Sequence, residues 1–257
     1  MLIIVPSSET KRPEAEAGPP VDLAALSFPE LTPMRERVLE ALIETSAGPD
    51  AFRRLHVSPV MAGEVARNTR LRELPASPVA EVYAGPLHQG LGIATLSPPA
   101  RQRAEAAIVV TSALWGLLRL PDRVPPYRVY LYAWLVGLER LDAEWRNVLP
   151  AIVSTAAGPA GLVLDLRSPQ NQMIGKPPGL GHRTVSLRVR QSQLGHRIGD
   201  VIAKRVRGQA ARHLLDVGEN PGDPDALAEI LADRWPTRLE EPHAVDQPWR
   251  LTLLTSD

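Results

Sequence analysis

The chain contains no cysteine. Disulfides, thiolate nucleophiles and cysteine metal ligands are therefore excluded, and the composition fits a reducing compartment. Net charge is also absent, because 29 Lys and Arg balance 29 Asp and Glu. A preference for nucleic acid or membrane must then come from a local patch. Aromatics are scarce, at five Trp, four Tyr and two Phe, which is few for a base-stacking surface. No apolar run approaches the roughly 20 residues of a membrane helix. The opening "MLIIVPSSETK" has too short an apolar run, and no basic lead, for a signal peptide. These absences describe a soluble cytoplasmic protein with no membrane partner.

Other signatures are missing too. "IGKPPGLGH" is not a P-loop, because Pro177 stands where Ser or Thr would hold magnesium. There is no Gly-x-Ser-x-Gly elbow. The six histidines, His56, His88, His182, His196, His213 and His243, show no metal-ligand spacing. No metal and no cofactor is expected.

What is present is an ordinary globular chain of 257 residues, 44% hydrophobic and 23% charged. "MLIIV" reads as a buried strand stopped by Pro6, and residues 11–33 as a long loop. "LTPMRERVLEALIETSA" reads as a helix capped by Thr32, with Pro33 in its first turn and Val38, Leu39, Leu42 and Ile43 on one face. "MAGEVARNTRLREL" predicts a second helix. "AEVYAGPLHQGLG" predicts a short strand and a glycine-rich loop. "PPARQRAEAAIVV" begins as a helix and runs into a strand. "LDAEWRNVLPAIVSTA" reads as helical, "GLVLDLRS" as a strand and "RTVSLRVR" as a half-exposed strand. Helices over 199–215 and 226–235, the latter capped by Asp223 and Pro224, precede a last strand in "WRLTLLTS". Strands and helices interleave, which predicts a single mixed α/β domain over residues 1–257, with a mixed sheet core flanked by helices.

Charge is unevenly placed. From Arg183 to Arg212 there are eight Lys/Arg, including Arg197, and one acid, Asp200. From His213 onward there are ten acids and three arginines. The two segments either pair with each other or leave a basic groove for a polyanion. A protein-binding scaffold on the acidic segment is a weaker third idea.

Two constellations carry the candidate chemistry. In "GDVIAKRVRGQAARHLL", Ile202, Val206, Ala210 and Leu214 form an apolar stripe, and Lys204, Gly208 and Arg212 a second one. Arg205 and Arg207 add charge. The missing side chain at Gly208 either lets a phosphate approach the helix or serves tight helix packing. In "TSALWGLLRLPDRVPPYRV", Arg119, Asp122, Arg123, Tyr127 and Arg128 follow a strand end, and prolines 121, 125 and 126 stiffen the loop. Arginine forks suit phosphate or carboxylate. The alternative is a rigid surface loop whose arginines pair with nearby acids. "VPSSETK" adds Ser7, Ser8, Glu9 and Lys11, and "DLRSPQNQ" adds Asp165, Arg167, Ser168, Gln170 and Asn171 at another strand end.

Laid in order, these segments resemble the YaaA family of peroxide-stress proteins. The carriers are "MLIIVPSSETK", "VYAG" at 82–85, "TSALWGLLRLPDRVPPYR" at 111–128, "LDLRS" at 164–168 and "AKRVRGQAARHLL" at 203–215. The resemblance implies one α/β domain with a positively charged cleft, no known cofactor, a helix-hairpin-helix-like basic element, and DNA binding that protects DNA under peroxide stress. Lys204, Arg207, Gly208 and Arg212 match the family's basic motif. Arg119, Asp122, Tyr127 and Arg128 match its central motif. Asn171 stands near a position where the family pattern has tyrosine, and Glu9 where many relatives carry lysine. Such departures suit a member recruited to another reaction.

Two functions are therefore expected as alternatives. One is nucleic-acid binding through Lys11, Arg119, Arg123, Tyr127, Arg128, Lys204, Arg205, Arg207, Gly208 and Arg212. The other is an enzyme on a small anionic or nucleobase-like substrate, with Arg119, Arg128 and Lys11 clamping the anion and Glu9 or Asp165 as acid/base.

Overall fold

The structure is a computed structural model that describes residues 1–191 and 198–255. Arg197 and His196 lie outside the described residues. In chain order the elements are β1 (Leu2–Pro6), α1 (Thr32–Ala47), α2 (Ala51–Leu55), α3 (Ala62–Asn68), β2 (Ser77–Pro78), α4 (Val79–Val82), α5 (Pro86–Leu91), α6 (Pro98–Ala107), β3 (Ile108–Ser112), β4 (Gly116–Arg119) and β5 (Arg123–Val124). Then follow α7 (Leu141–Arg146), α8 (Leu149–Ala157), β6 (Val163–Asp165), α9 (Pro169–Gln172), β7 (Thr184–Gln191), α10 (Asp200–Val217), α11 (Pro224–Ala232), β8 (Thr237–Glu240) and β9 (Trp249–Thr255). Seven strands form one mixed sheet in the order β4-β3-β1-β6-β7-β9-β8, and β2 pairs antiparallel with β5. The mixed α/β class is as expected. No described helix is long and apolar enough to cross a membrane.

The chain divides into two compact units. Unit one comprises Met1–Pro6, Gly85–Val109 and Ala151–Asp257; unit two comprises Ser7–Ala84 and Val110–Pro150. In unit one, β1, β6, β7 and β9 run parallel, and β8 is antiparallel to β9. Parallel strands covered on both faces read as continuous apolar runs, as "LIIV" does. The expectation of a half-exposed β7 needs correction. Thr184 through Leu187 and Val189 are all buried, because β7 lies between β6 and β9.

Three further expectations change. Thr32 does not cap α1; it is already helical, because a 3-10 turn over Pro29–Leu31 leads straight into the helix and Leu31 occupies the cap. "AEVYAGPLHQGLG" is neither strand nor loose loop but α4 and α5. Pro86 sets the first turn of α5, and its packing on α10 stabilises a segment too short for local propensity to hold. "LDAEWRNVLPAIVSTA" splits into α7 and α8, and Pro150 lies in the first turn of the second helix. Asp223 caps α11 as expected, accepting a bond from the Ala226 backbone N–H at 2.8 Å.

Residues 111–128 are largely buried rather than a stiff surface loop. Trp115, Val124, Pro125, Pro126 and Tyr127 are all inside, and β4 occupies the part read as loop. Gly116 has φ +73°, and a Cβ there would lie 2.6 Å from the Trp145 ring. Only glycine meets both conditions. The buried Arg35 donates to the carbonyls of Trp115 at 3.0 Å and Leu117 at 2.7 Å, fixing the same turn from α1.

Candidate functional site

In unit two, three separate segments meet around Lys11. The stretch after β1 pairs with residues 82–84: Arg12 N–H donates to Val82 O at 2.8 Å, and Ala84 N–H to Thr10 O at 3.0 Å. Lys11 thereby faces Tyr83 across an antiparallel bridge. Its Nζ donates to Ser8 O at 2.9 Å and lies 4.1 Å from the Tyr127 ring centre and 5.7 Å from that of Tyr83. The Tyr127 hydroxyl is 2.7 Å from Ser112 Oγ and 3.2 Å from the Tyr83 hydroxyl. Both phenols are buried, and burial pushes their pKa values up, so they stay protonated.

Arg128 joins the cluster from the chain just beyond Tyr127. Its backbone is pinned by buried Asn68, which accepts from Arg128 N–H at 2.8 Å and donates to Arg128 O at 2.7 Å. Its guanidinium makes loose pairs with Glu9 at 3.5 Å and Glu64 at 3.7 Å. Glu9, Lys11, Tyr127 and Arg128 are thus brought together. Glu64, Asn68 and Tyr83 complete the group and were not among the expected site residues. Tyr83 was legible in "VYAG"; Glu64 and Asn68 come from α3, in a segment whose sequence reads only as a helix.

The electrostatics make the Lys11 proton easier to lose. Burial, then the Arg128 charge, pulls the Lys11 pKa from 10.5 down to about 7, against the opposing pull of Glu64 and Glu9. Lys11 makes no ion pair with any described residue. A lysine poised near neutrality can take up or release a proton at physiological pH.

The other arginines of the central segment go elsewhere. Arg119 stacks its guanidinium 5.5 Å from the Phe28 ring centre. Arg123 donates to Ala76 O at 2.7 Å. Asp122 is a buried tie: it accepts from Arg119 N–H at 2.8 Å and from Ser27 N–H and Oγ at 3.0 and 2.8 Å.

In unit one, Asp165 ends β6 and is engaged by Arg167 through Nε at 2.9 Å, Nη2 at 2.7 Å and the backbone N–H at 3.0 Å. On α10, Lys204 pairs with Asp200 at 2.6 Å. Arg212 donates to Gly92 O at 2.9 Å and to Thr95 Oγ1 at 2.7 Å, and pairs with Asp216 at 3.1 Å. Arg205 is exposed and reaches Gln89 Oε1 at 3.3 Å. The space above Gly208 holds the α5 backbone, since a Cβ there would lie 2.0 Å from Leu87 O. Arg207 is half-buried, and burial lowers its pKa.

Comparison with known proteins identifies the lineage. A family model described as "Peroxide stress protein YaaA" matches residues 1–237. The chain belongs to the YaaA family. A UPF0246 protein of Streptomyces coelicolor is 37% identical over 261 residues, covering 100% of this chain and 99% of that protein. A UPF0246 protein of Corynebacterium efficiens is 38% identical over 221 residues, covering 83% and 84% of the two chains. One of Shewanella sediminis is 27% identical over 226 residues, covering 84% and 86%. Within this YaaA-family chain, the segments at 7–11, 82–84 and 111–128 converge on Lys11, whereas "LDLRS" and the basic helix belong to unit one.

Proposed function

We propose that this YaaA-family protein works in the cytoplasm as an enzyme on a small anionic ligand, with Lys11 as its proton-transfer group. The convergence of Lys11, Tyr83, Tyr127 and Arg128 carries this proposal. Arg128 attracts the anion, and its loose carboxylate pairs are displaceable. Neutral Lys11 accepts a proton from the ligand and becomes ammonium, and the electron pair stays on the ligand atom. The Tyr127 ring face then stabilises the new cation, and the Ser112 and Tyr83 hydroxyls hold that ring in place.

The test uses Lys11→Met and Arg128→Met in thermal-shift titrations with nucleotides and bases. One class of anionic ligand should stabilise the natural chain and bind each variant about 10 to 100 times more weakly, as expected for losing a charged hydrogen bond. The pH dependence supplies a second readout. Between pH 7 and 10.5 the unfolded chain keeps a proton on Lys11 that the folded chain has released. Stability should therefore rise with pH across that window, and Lys11→Met should flatten the rise. A panel with no stabilising ligand, and a pH profile unchanged by Lys11→Met, would remove the proposal.

Nucleic-acid binding in peroxide-stress defence is the second reading, supported by exposed Arg205 beside Lys204 on α10 and by the family's description. Phosphate contacts of this kind give sequence-tolerant, salt-sensitive binding. A fluorescent duplex should show an anisotropy rise at low salt, a steep loss at moderate salt, and weaker binding to a chain carrying Lys204→Ala and Arg205→Ala. No anisotropy change at low salt would end this reading.

A further inference from the structure

Unit one holds a cavity that neither function uses. In "DLRSPQNQMIGKPP" the chain leaves β6 at Asp165, and Pro169 then starts α9. Residues opposite each other in a ladder share a sheet face. Asp165 pairs with Ser186 of β7, so the two stand side by side on one face, on strands about 4.8 Å apart. A cavity of about 150 Å³ opens there, and both residues line it. An enclosed cavity of similar volume admits a benzene-sized ring.

The walls are largely carbon. Pro169, Met173, Pro177 and Pro248 line them. Prolines hold their backbone fixed, and a thioether adapts to the edge of a ring. One further wall is fixed by close contact: a Cβ on Gly181 would lie 2.4 Å from the Asp246 carbonyl carbon. Glycine at 181 thus lets the chain at Asp246 close in beside the cavity. Such a site, mainly apolar with a few placed polar groups, has the make-up of a small-molecule pocket.

The charges on the wall point to a neutral ligand. Lys176 and Asp246 also line the cavity, but both are exposed and they are opposite in sign. Among the described lining residues the one buried charge is Asp165, and Arg167 neutralises it. A further ion held inside would have no partner, at high cost.

Two polar valences on the wall are left open. The Ser186 hydroxyl accepts from Gln172 Nε2 at 2.8 Å, and its own proton meets no acceptor among the described residues, although Ser186 is only 8% exposed. Asp165 Oδ2 accepts only from Arg167 Nη2, at 2.7 Å, and a carboxylate oxygen has room for a second donor. A buried donor therefore stands next to a buried acceptor. Buried groups of this kind are normally satisfied.

We infer that this cavity binds a neutral six-membered ring with a lactam edge, its C=O accepting from the Ser186 hydroxyl and its adjacent N–H donating to Asp165. The body of the ring lies among the prolines and Met173. This inference rests on unit one and does not depend on the Lys11 proposal.

The experiment titrates the full chain with α-pyridone. Parallel arms use N-methyl-α-pyridone, which keeps the ring and the C=O but has no N–H, and benzoate, which is of similar size but charged. Thermal unfolding and amide NMR signals are followed. The α-pyridone should shift the Ser186 backbone and Gln172 side-chain amide signals saturably, leave those of Tyr83 and Arg128 in place, and raise Tm by about 4 °C at ten times its Kd. The N-methyl compound and benzoate should bind about tenfold more weakly or not at all. Ser186→Ala removes the donor, while Gln172 keeps its bond to Arg167 O at 3.2 Å, and it should weaken α-pyridone about tenfold. If Ser186→Ala fails to fold, the three ligands on the natural chain decide the question. The inference fails if α-pyridone gives no saturable shift at Ser186 and Gln172, if either of the other two ligands binds as tightly, or if a folded Ser186→Ala keeps full affinity.

Discussion

A chain carrying Gly208→Ala is expected to lose about 1 to 3 kcal/mol of stability, lowering Tm by roughly 6 °C. The added Cβ would lie 2.0 Å from Leu87 O, 2.7 Å from Leu91 N and 3.0 Å from Gly90 C. All three are backbone atoms of α5 and its last turn, so no side-chain rotation relieves the clash. The contact is reciprocal: a Cβ on Gly90 would lie 2.1 Å from Arg205 O. Two glycines therefore let the helices meet backbone to backbone. The sign of the effect is the informative part. At an exposed helix position, alanine is about 1 kcal/mol better than glycine. Were the gap at Gly208 open for a phosphate, Gly208→Ala would raise stability slightly and weaken anion binding. Thermal unfolding followed by circular dichroism separates the two cases, and an unchanged or higher Tm would show that the helices do not need the gap.

The same position shows how far the sequence could be read. The basic helix, its amphipathic stripe and its bounds follow from local spacing, and α10 spans 200–217 against an expected 199–215. What fills the gap at Gly208 does not follow, because α5 lies more than a hundred residues earlier and has no periodicity of its own. β3 and β6 were legible because buried parallel strands are continuous apolar runs. β4 was not, since Gly116 and the prolines that follow read as punctuation until Trp145 and Arg35 are seen packed against the turn. At the candidate site, polar residues after strand ends marked Glu9, Lys11, Tyr127 and Arg128, which the structure brings together. Their convergence depends on Asn68 and on the 82–84 pairing, and neither leaves a local signal. The arginines at 119 and 123 carried the same sequence signal, and their guanidiniums meet the Phe28 ring and the Ala76 carbonyl.

Asp165 was one of two carboxylates with the credentials of an acid/base, and Asp165→Asn is expected to test it severely. Arg167, two residues on, is only 1% exposed, and Asp165 meets it with both oxygens. The substitution keeps shape but removes the charge. It also turns an amide NH₂ toward a guanidinium that only donates. A buried ion pair broken on one side costs about 3 to 5 kcal/mol, because the remaining charge is left uncompensated. Tm should fall by roughly 10 °C on that basis. Replacing both partners, as Asp165→Leu with Arg167→Leu, should recover much of the loss, since apolar groups leave no stranded charge. A general base behaves differently: its amide variant folds as stably as the natural chain and loses only turnover. Asp165→Asn with an unchanged Tm would therefore restore Asp165 as a catalytic candidate. A large loss that the double replacement repairs would establish it as the counter-ion that lets Arg167 be buried at the end of β6.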